Sequence, residues 1–118
     1  MKFSTKKFKE LTVTELYELL RLRSLIFVQE QNCVYVDQDN NDQKSQHVLG
    51  YKGKALVAYA RIVPPGTIFK TVSIGRVVVA KKSRGKDIGY LLMEESIKQA
   101  IKKYKPVDCV VVSIFMFA

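Results

Sequence analysis

Val72-Ser73-Ile74-Gly75-Arg76-Val77-Val78-Val79-Ala80 followed by Lys81-Lys82-Ser83-Arg84-Gly85-Lys86-Asp87-Ile88-Gly89 is the stretch that decides the architecture. Its first half is a β-branched run too continuous for a strand with one wet face, and it predicts a central strand covered on both sides. After the charged, glycine-bearing second half, Ile88, Leu92, Ile97, Ala100, Ile101 and Tyr104 keep helical spacing up to a stop at Pro106. The passage therefore reads as strand, turn, helix. A helix N-terminus presents unpaired backbone N–H groups and positive dipole charge. Gly85 and Gly89 let backbone approach a bound group, and Arg84 and Lys86 add charge, so the turn suits a pyrophosphate. On spacing alone, a glycine-bearing strand-to-helix turn is more often only a turn.

Downstream, Val107 to Phe117 predicts a last apolar strand. Upstream, His47 to Tyr51 and Ala55 to Val63 form a hairpin across Lys52-Gly53-Lys54, and Pro64-Pro65-Gly66 ends its second strand. Thr12-Val13-Thr14-Glu15 has the form of a capping box. Leu16, Leu19, Leu20, Leu22, Ile26 and Phe27 then recur at three- and four-residue steps, predicting a helix to about Gln31 with Arg21, Arg23 and Glu30 on or beside its polar edge. Tyrosines and phenylalanines along the helices fall at core spacing. Phe3 to Phe8 reads as a short first strand. The order is β-α-β-β-β-α-β, a mixed α/β layout in one domain over residues 1–118.

Composition narrows the function. The 118 residues include 20 Lys+Arg against 11 Asp+Glu, a net charge of +9, and 47% are hydrophobic, which supports a real core and argues against disorder. No apolar run approaches the roughly 20 residues that span a bilayer, and the N-terminus lacks a signal-peptide stretch, so a soluble cytoplasmic protein is expected. Cys33 and Cys109 are far apart and without metal-ligand spacing, which predicts two reduced thiols rather than a disulfide or zinc site. The basic excess suits nucleic acid, an acidic membrane surface or a polyanionic small molecule. Its lysines fall in pairs (Lys6-Lys7, Lys81-Lys82, Lys102-Lys103) with no RNA-binding aromatic pattern, which disfavours nucleic acid. A calcium loop starting at Asp37 would place Asp42 at the glycine position and Val48 at the closing carboxylate, so no metal is expected.

The turn is neither a Walker A loop, since no Gly-Lys-Ser/Thr closes it, nor a three-glycine dinucleotide fingerprint. Ile74 to Val79 with Arg84-Gly85-Lys86-Asp87-Ile88-Gly89 and Leu91-Leu92-Met93 instead resembles motif A of the GNAT superfamily of acetyl-CoA-dependent N-acetyltransferases. Leu22-Arg23, Phe27 to Cys33, Tyr35, Asp37, Asp39, His47 to Gly50 and Ala58-Tyr59-Ala60-Arg61 are similar to its ElaA-type branch. The resemblance covers about Leu16 to Leu92. It implies a mixed, mostly antiparallel central sheet flanked by helices, acetyl-CoA as co-substrate and an amine as acceptor. It also implies that backbone at Val77, Val78 and Val79 pairs with the pantetheine arm. Backbone N–H groups of Arg84, Gly85, Lys86, Asp87, Ile88 and Gly89 would hold the pyrophosphate.

Asp87 stands at the motif's middle glycine, and Val34 and Asn40 stand where the branch tends to carry Pro and Gly. Ser113 to Ala118 does not look like the family, whose members continue into a further helix and strands, the helix commonly carrying a tyrosine that protonates the CoA thiolate. A C-terminally truncated domain is the expectation, with an unpaired last strand open to aggregation or homodimerisation. The alternative function is thus an inactive CoA-binding or protein-interaction remnant.

Acetyl transfer to an amine needs a neutral amine, a polarised thioester carbonyl and a route for the thiolate to leave. Glu30 and the single histidine, His47, are the candidate bases, against the plainer readings of an exposed helix-end carboxylate and a strand-end imidazole bonded to a loop. Arg61 and Arg76 lie within apolar strands and need a carboxylate or a ligand. Asp37 and Asp39 are candidates to partner them or to bind a cationic substrate. Cys33 reads as a small buried thiol.

Overall fold

The computed structural model describes residues 1–30, 37–106 and 110–112, the side chains of residues 28–30 excepted. Thr12 caps the first helix as its sequence requires: its hydroxyl accepts from Glu15 N–H at 3.1 Å and the Glu15 carboxylate accepts from Thr12 N–H at 2.8 Å. Helix α1 (Val13–Arg23) continues in π-helical winding over Ser24–Glu30. Strands β1 (Lys2–Lys7), β2 (Gln46–Lys52), β3 (Ala55–Val63), β4 (Ser73–Val79) and β5 (Val111–Val112) lie side by side in chain order. The first three pairings are antiparallel and β4–β5 is parallel, which is the expected mixed sheet. Helix α2 (Ile88–Tyr104) ends on Lys105 in a left-handed conformation, immediately before Pro106. No helix among the described residues is long and apolar enough to cross a membrane.

Side chains alternate across a strand, so consecutive residues feed opposite faces. Val48, Ala58, Ala60, Ile62 and Ile74 pack under Ile88, Leu92 and Ala100 of α2, while Leu49, Tyr59 and Val78 pack under Leu19, Leu22, Ile26 and Phe27. Strand β4 changes parity midway: Ile74, Val77 and Val79 all face α2, whereas Val78 faces α1. The cause is a β-bulge. Tyr59 and Arg61 pair with Val78 and Gly75, setting three steps of β4 against two of β3, and Arg76 within that interval has φ +50°. The uninterrupted apolar run of the sequence is this strand serving both faces. It is interior as expected, although the middle place belongs to β3, and its second half is half-buried apart from Val78.

A close approach fixes the other side of the sheet. A Cβ on Gly50 would lie 2.9 Å from both Ala58 Cβ and the Phe3 ring, so only glycine fits where β1, β2 and β3 pair through Phe3, Gly50 and Ala58.

Two expectations about helix faces need correction. Arg23 is fully buried rather than at a polar edge, because it stands four residues after Leu19 and four before Phe27, on the core stripe itself. Tyr17 and Tyr90 are 70% exposed, and Ile97 and Ile101 are also exposed, so helical spacing widened the apolar stripe beyond what the sheet covers.

Candidate functional site

The predicted phosphate turn forms as strand, short 3₁₀ turn (Lys81–Ser83), loop and helix. Gly85 (φ +82°) and Asp87 (φ +59°) both adopt left-handed backbone, which glycine takes freely and aspartate takes better than most residues. Asp87 is the α2 N-cap, and its side chain makes no capping hydrogen bond. Gly85, Lys86 and Asp87 are exposed, as are Lys81 and Lys82, so the N-terminal N–H groups of α2 open onto solvent among cations. Arg84 turns back to donate from Nε to the Val79 carbonyl at 3.1 Å, tying the loop to the end of β4. Gly89 sits in the first turn of α2 against β4, where a Cβ would lie 3.9 Å from Val79 Cγ2.

Leading into this turn is β4, whose outer neighbour is β5. Among the described residues β5 pairs with Ser73 and Ile74 at the start of β4, and the chain after Val112 lies outside the described residues. The bulge at Arg76 re-aims the backbone just past the described β4–β5 pairs. Val77, Val78 and Val79 thus form the end of β4 that runs toward the Gly85–Gly89 turn.

On the α1 face lies a buried charge cluster. Arg23 donates from Nε to Asp37 Oδ2 at 2.7 Å and from Nη1 to Asp42 Oδ1 at 2.8 Å. Arg61 donates from Nη1 to Asp39 Oδ1 at 2.7 Å and to Asp42 Oδ1 at 3.0 Å, and from Nη2 to Asp39 Oδ2 at 2.8 Å. Arg76 donates from Nε to Asp37 Oδ1 and from Nη2 to the Asp37 carbonyl, both at 2.9 Å. Three guanidiniums thus face three carboxylates, which is how charge survives burial. Burial pushes the Asp39 and Asp42 carboxyls up, but their arginine bonds outweigh it and hold both below the ordinary carboxylate value. The Asp37–Arg76 contacts also hold the left-handed bulge that a non-glycine residue otherwise resists.

His47 lies under this cluster, fully buried. Its Nε2 faces the Asp42 carbonyl at 2.9 Å and its Nδ1 faces Tyr59 Oη at 2.6 Å. A carbonyl only accepts, so Nε2 carries the proton and Tyr59 donates to Nδ1. Burial is the main force lowering the His47 pKa, which keeps the ring neutral. With both nitrogens taken and no exposed surface, His47 does not present a base to a substrate. The loop-bonded strand-end imidazole is the arrangement found.

Of the sequence candidates, the structure brings together Arg61, Arg76, Asp37 and Asp39, and separately Val77 to Val79 with Arg84 to Gly89. Glu30 closes the π-helical stretch, and its side chain lies outside the described residues, as do Cys33 and Cys109. Arg23, Asp42 and Tyr59 were missed as cluster members. Arg23 was legible from its place on the core stripe, whereas Asp42 and Tyr59 carry no spacing signal that joins them to it.

A mixed sheet with a bulged fourth strand leading into a basic helix N-terminus is the fold of the GNAT class, and the comparison agrees: the acetyltransferase (GNAT) family profile matches residues 13–113. The chain belongs to this family. It is similar to protein ElaA of Escherichia coli K12, 45% identical over 91 residues that make up 75% of this chain and 60% of that protein. The chain therefore spans about three-fifths of the length of that relative. The crystal structure of Escherichia coli ElaA superposes with a TM-score of 0.87 at 38% identity, covering 94% of this chain and 76% of the other. An acyl-CoA N-acyltransferase from Pseudomonas aeruginosa superposes with a TM-score of 0.86 at 34% identity, covering 96% and 78%.

Proposed function

We propose that this chain binds acetyl-CoA along β4 and the α2 N-terminus, and that it belongs to an enzyme moving the acetyl group directly to an amine. The observation that carries the reading is the bulged β4 running into the cationic, left-handed turn at Gly85 and Asp87 at the head of α2. Backbone at Val77, Val78 and Val79 pairs with the pantetheine arm, and N–H groups from Arg84 through Gly89 take the pyrophosphate. The exposed Lys81, Lys82 and Lys86 match the polyanion's charge. Asp87 adds one opposing carboxylate.

In the reaction, Glu30 takes a proton from the acceptor's ammonium group, directly or through water. The freed amine nitrogen attacks the thioester carbon while backbone N–H groups of β4 stabilise the carbonyl oxygen. The carbon–sulfur bond then breaks, the nitrogen sheds its second proton, and the thiolate takes it. Asp37 and Arg61 are spent on neighbouring charges. Asp39 and Arg76, whose side chains are 27% and 21% exposed, are the cluster members with surface left to meet an acceptor.

Thermal unfolding with and without acetyl-CoA tests the binding step, because a ligand that binds only the native state stabilises it by about 2.7 kcal/mol at 100 times its Kd. The expected result is a midpoint raised by several degrees in the native chain and an unmoved one in Gly89→Glu, whose carboxylate lies in the turn. Equal acetyl-CoA affinity in that variant sinks the assignment. Release of free thiol in the presence of amines separates an enzyme from a protein that only binds.

A further inference from the structure

The far end of the molecule carries a second group of cations. Where the end of β1, the turn after it, the Asp42–Lys44 turn and the last turn of α2 meet, a cleft of about 290 Å³ is lined by Lys7, Lys9, Lys44 and Lys103. Phe8 and Tyr104 give it an aromatic wall. The four lysines are exposed and make no ion pair with any described residue. The acid beside them in sequence, Glu10, is held on the Lys7 backbone N–H at 2.8 Å. Gln46, which also lines the cleft, keeps a buried Oε1 with no hydrogen-bond partner. That acceptor is closed off as it stands, and a turn of the side chain into the cleft would give it a ligand N–H or O–H to accept from. Burial raises the Tyr104 phenol above its ordinary value, so it stays a hydroxyl donor.

This cleft is not the acetyl-CoA site. Lys103 and Tyr104 close α2 while Gly89 lies in its first turn, and at about 1.5 Å per residue the 17-residue helix separates its two ends by roughly 25 Å. The sheet register agrees: Gln46 pairs with Ile62, which pairs with Ile74 at the start of β4, away from Val79.

We propose that the cleft binds a phosphorylated small molecule of mononucleotide size through its four lysines, with a ligand hydrogen-bond donor meeting Gln46 Oε1 and a planar part resting on the Phe8–Tyr104 wall. The volume is at the lower end of the roughly 300–1,000 Å³ range of small-ligand sites, which suits one phosphorylated unit rather than a whole coenzyme. Uncompensated lysines supply the affinity and the buried amide supplies the orientation.

Calorimetric titration of the whole chain with 5′-AMP tests this, with adenosine and inorganic phosphate as controls. The expected result is saturable 5′-AMP binding that falls at least tenfold in the double variant Lys44→Glu/Lys103→Glu, whose acetyl-CoA midpoint shift stays that of the native chain. Gly89→Glu should bind 5′-AMP as the native chain does, so failure of this site and failure of the acetyl-CoA site read out separately. Gln46→Met should weaken 5′-AMP binding while raising the ligand-free unfolding midpoint, two opposite signs that a merely structural glutamine would not give. No 5′-AMP binding at millimolar concentration, or equal binding in the lysine variant, overturns the proposal. Adenosine binding as tightly as 5′-AMP overturns the anion reading, and phosphate binding as tightly overturns the mononucleotide-sized one.

Discussion

Two regions of this molecule use the same residue types to opposite ends. Under loop 37–45, Arg23, Arg61 and Arg76 meet Asp37, Asp39 and Asp42 at short distances, with Arg23 and Arg61 essentially without exposed surface. At the head of α2, Lys81, Lys82 and Lys86 are exposed and make no ion pair with described residues, and Asp87 is the one carboxylate near them in sequence. Burial forces charge to be balanced internally, since an unpaired buried ion costs several kcal/mol. Solvent removes that demand, so a cationic excess persists only at the surface. The first arrangement spends most of its charge on fixing shape, and only the partly exposed Asp39 and Arg76 keep surface for a ligand. The second has charge to give.

The sharpest way to break the contrast is to unbalance the buried cluster. Arg23→Met strips Asp37 and Asp42 of a partner inside the protein, and loss of one member of a buried pair typically costs about 3–5 kcal/mol. Urea unfolding should show that loss, and a change below about 1 kcal/mol would mean the cluster is not energetically coupled. Lys81→Ala/Lys82→Ala is the matching test at the surface. It should leave the unfolding midpoint within a degree or two and weaken acetyl-CoA by about 1–2 kcal/mol, at surface ion-pair values of up to about 1 kcal/mol each. Raising salt should erase that difference between native and variant proteins. An acetyl-CoA affinity indifferent to both salt and the lysines would remove the surface half of the comparison.

Acid probes the buried region, together with Glu15 at the α1 N-terminus, whose burial is outweighed by its Lys6 and Thr12 bonds so that it too is held below its ordinary value. Burial holds His47 below its ordinary 6.5, so between that value and its lower native value the unfolded chain binds more protons. Stability should therefore fall as pH drops below about 6.5 and level off once native His47 also titrates. Asp39 and Asp42 are held below 3.8, so what they contribute is present above that pH and lost as pH falls through their native values. His47→Gln should abolish the upper phase of a midpoint-against-pH curve and leave the lower one. A native curve that is flat from pH 7 to 5 would contradict the neutral, doubly bonded imidazole.

How much of this was legible beforehand follows from which forces are local. The Thr12 cap, the β2–β3 hairpin and the α2 stop before Pro106 are set by neighbouring residues, and the sequence placed them within a residue or so. The Gly85–Gly89 turn was legible for the same reason. The bulge at Arg76 was not, because its left-handed backbone is upheld by Asp37, 39 residues away, rather than by a glycine at the spot. Arg23 was misplaced because charge was weighed above position, although its spacing from Leu19 and Phe27 put it on the core stripe. Asp37 and Asp39 were left between ion pair and ligand, and only the tertiary arrangement distinguishes a carboxylate already held by a guanidinium from one awaiting a substrate.

A change that touches neither region calibrates the rest. Thr12→Ala removes the hydroxyl that accepts from Glu15 N–H, while Glu15 stays paired with Lys6 at 2.8 Å. An N-cap of this type is worth about 1 kcal/mol. Urea unfolding should therefore show a loss well below that of Arg23→Met, and the acetyl-CoA affinity of the folded protein should not change, because α1 and the α2 turn lie on opposite faces of the sheet. That separation is what allows a lost midpoint shift in Gly89→Glu to be read as a lost site rather than as a weakened fold. If Thr12→Ala lowered acetyl-CoA affinity as well, the two regions would share a folding equilibrium, and the distinction between a cluster that shapes and a turn that binds would collapse into one.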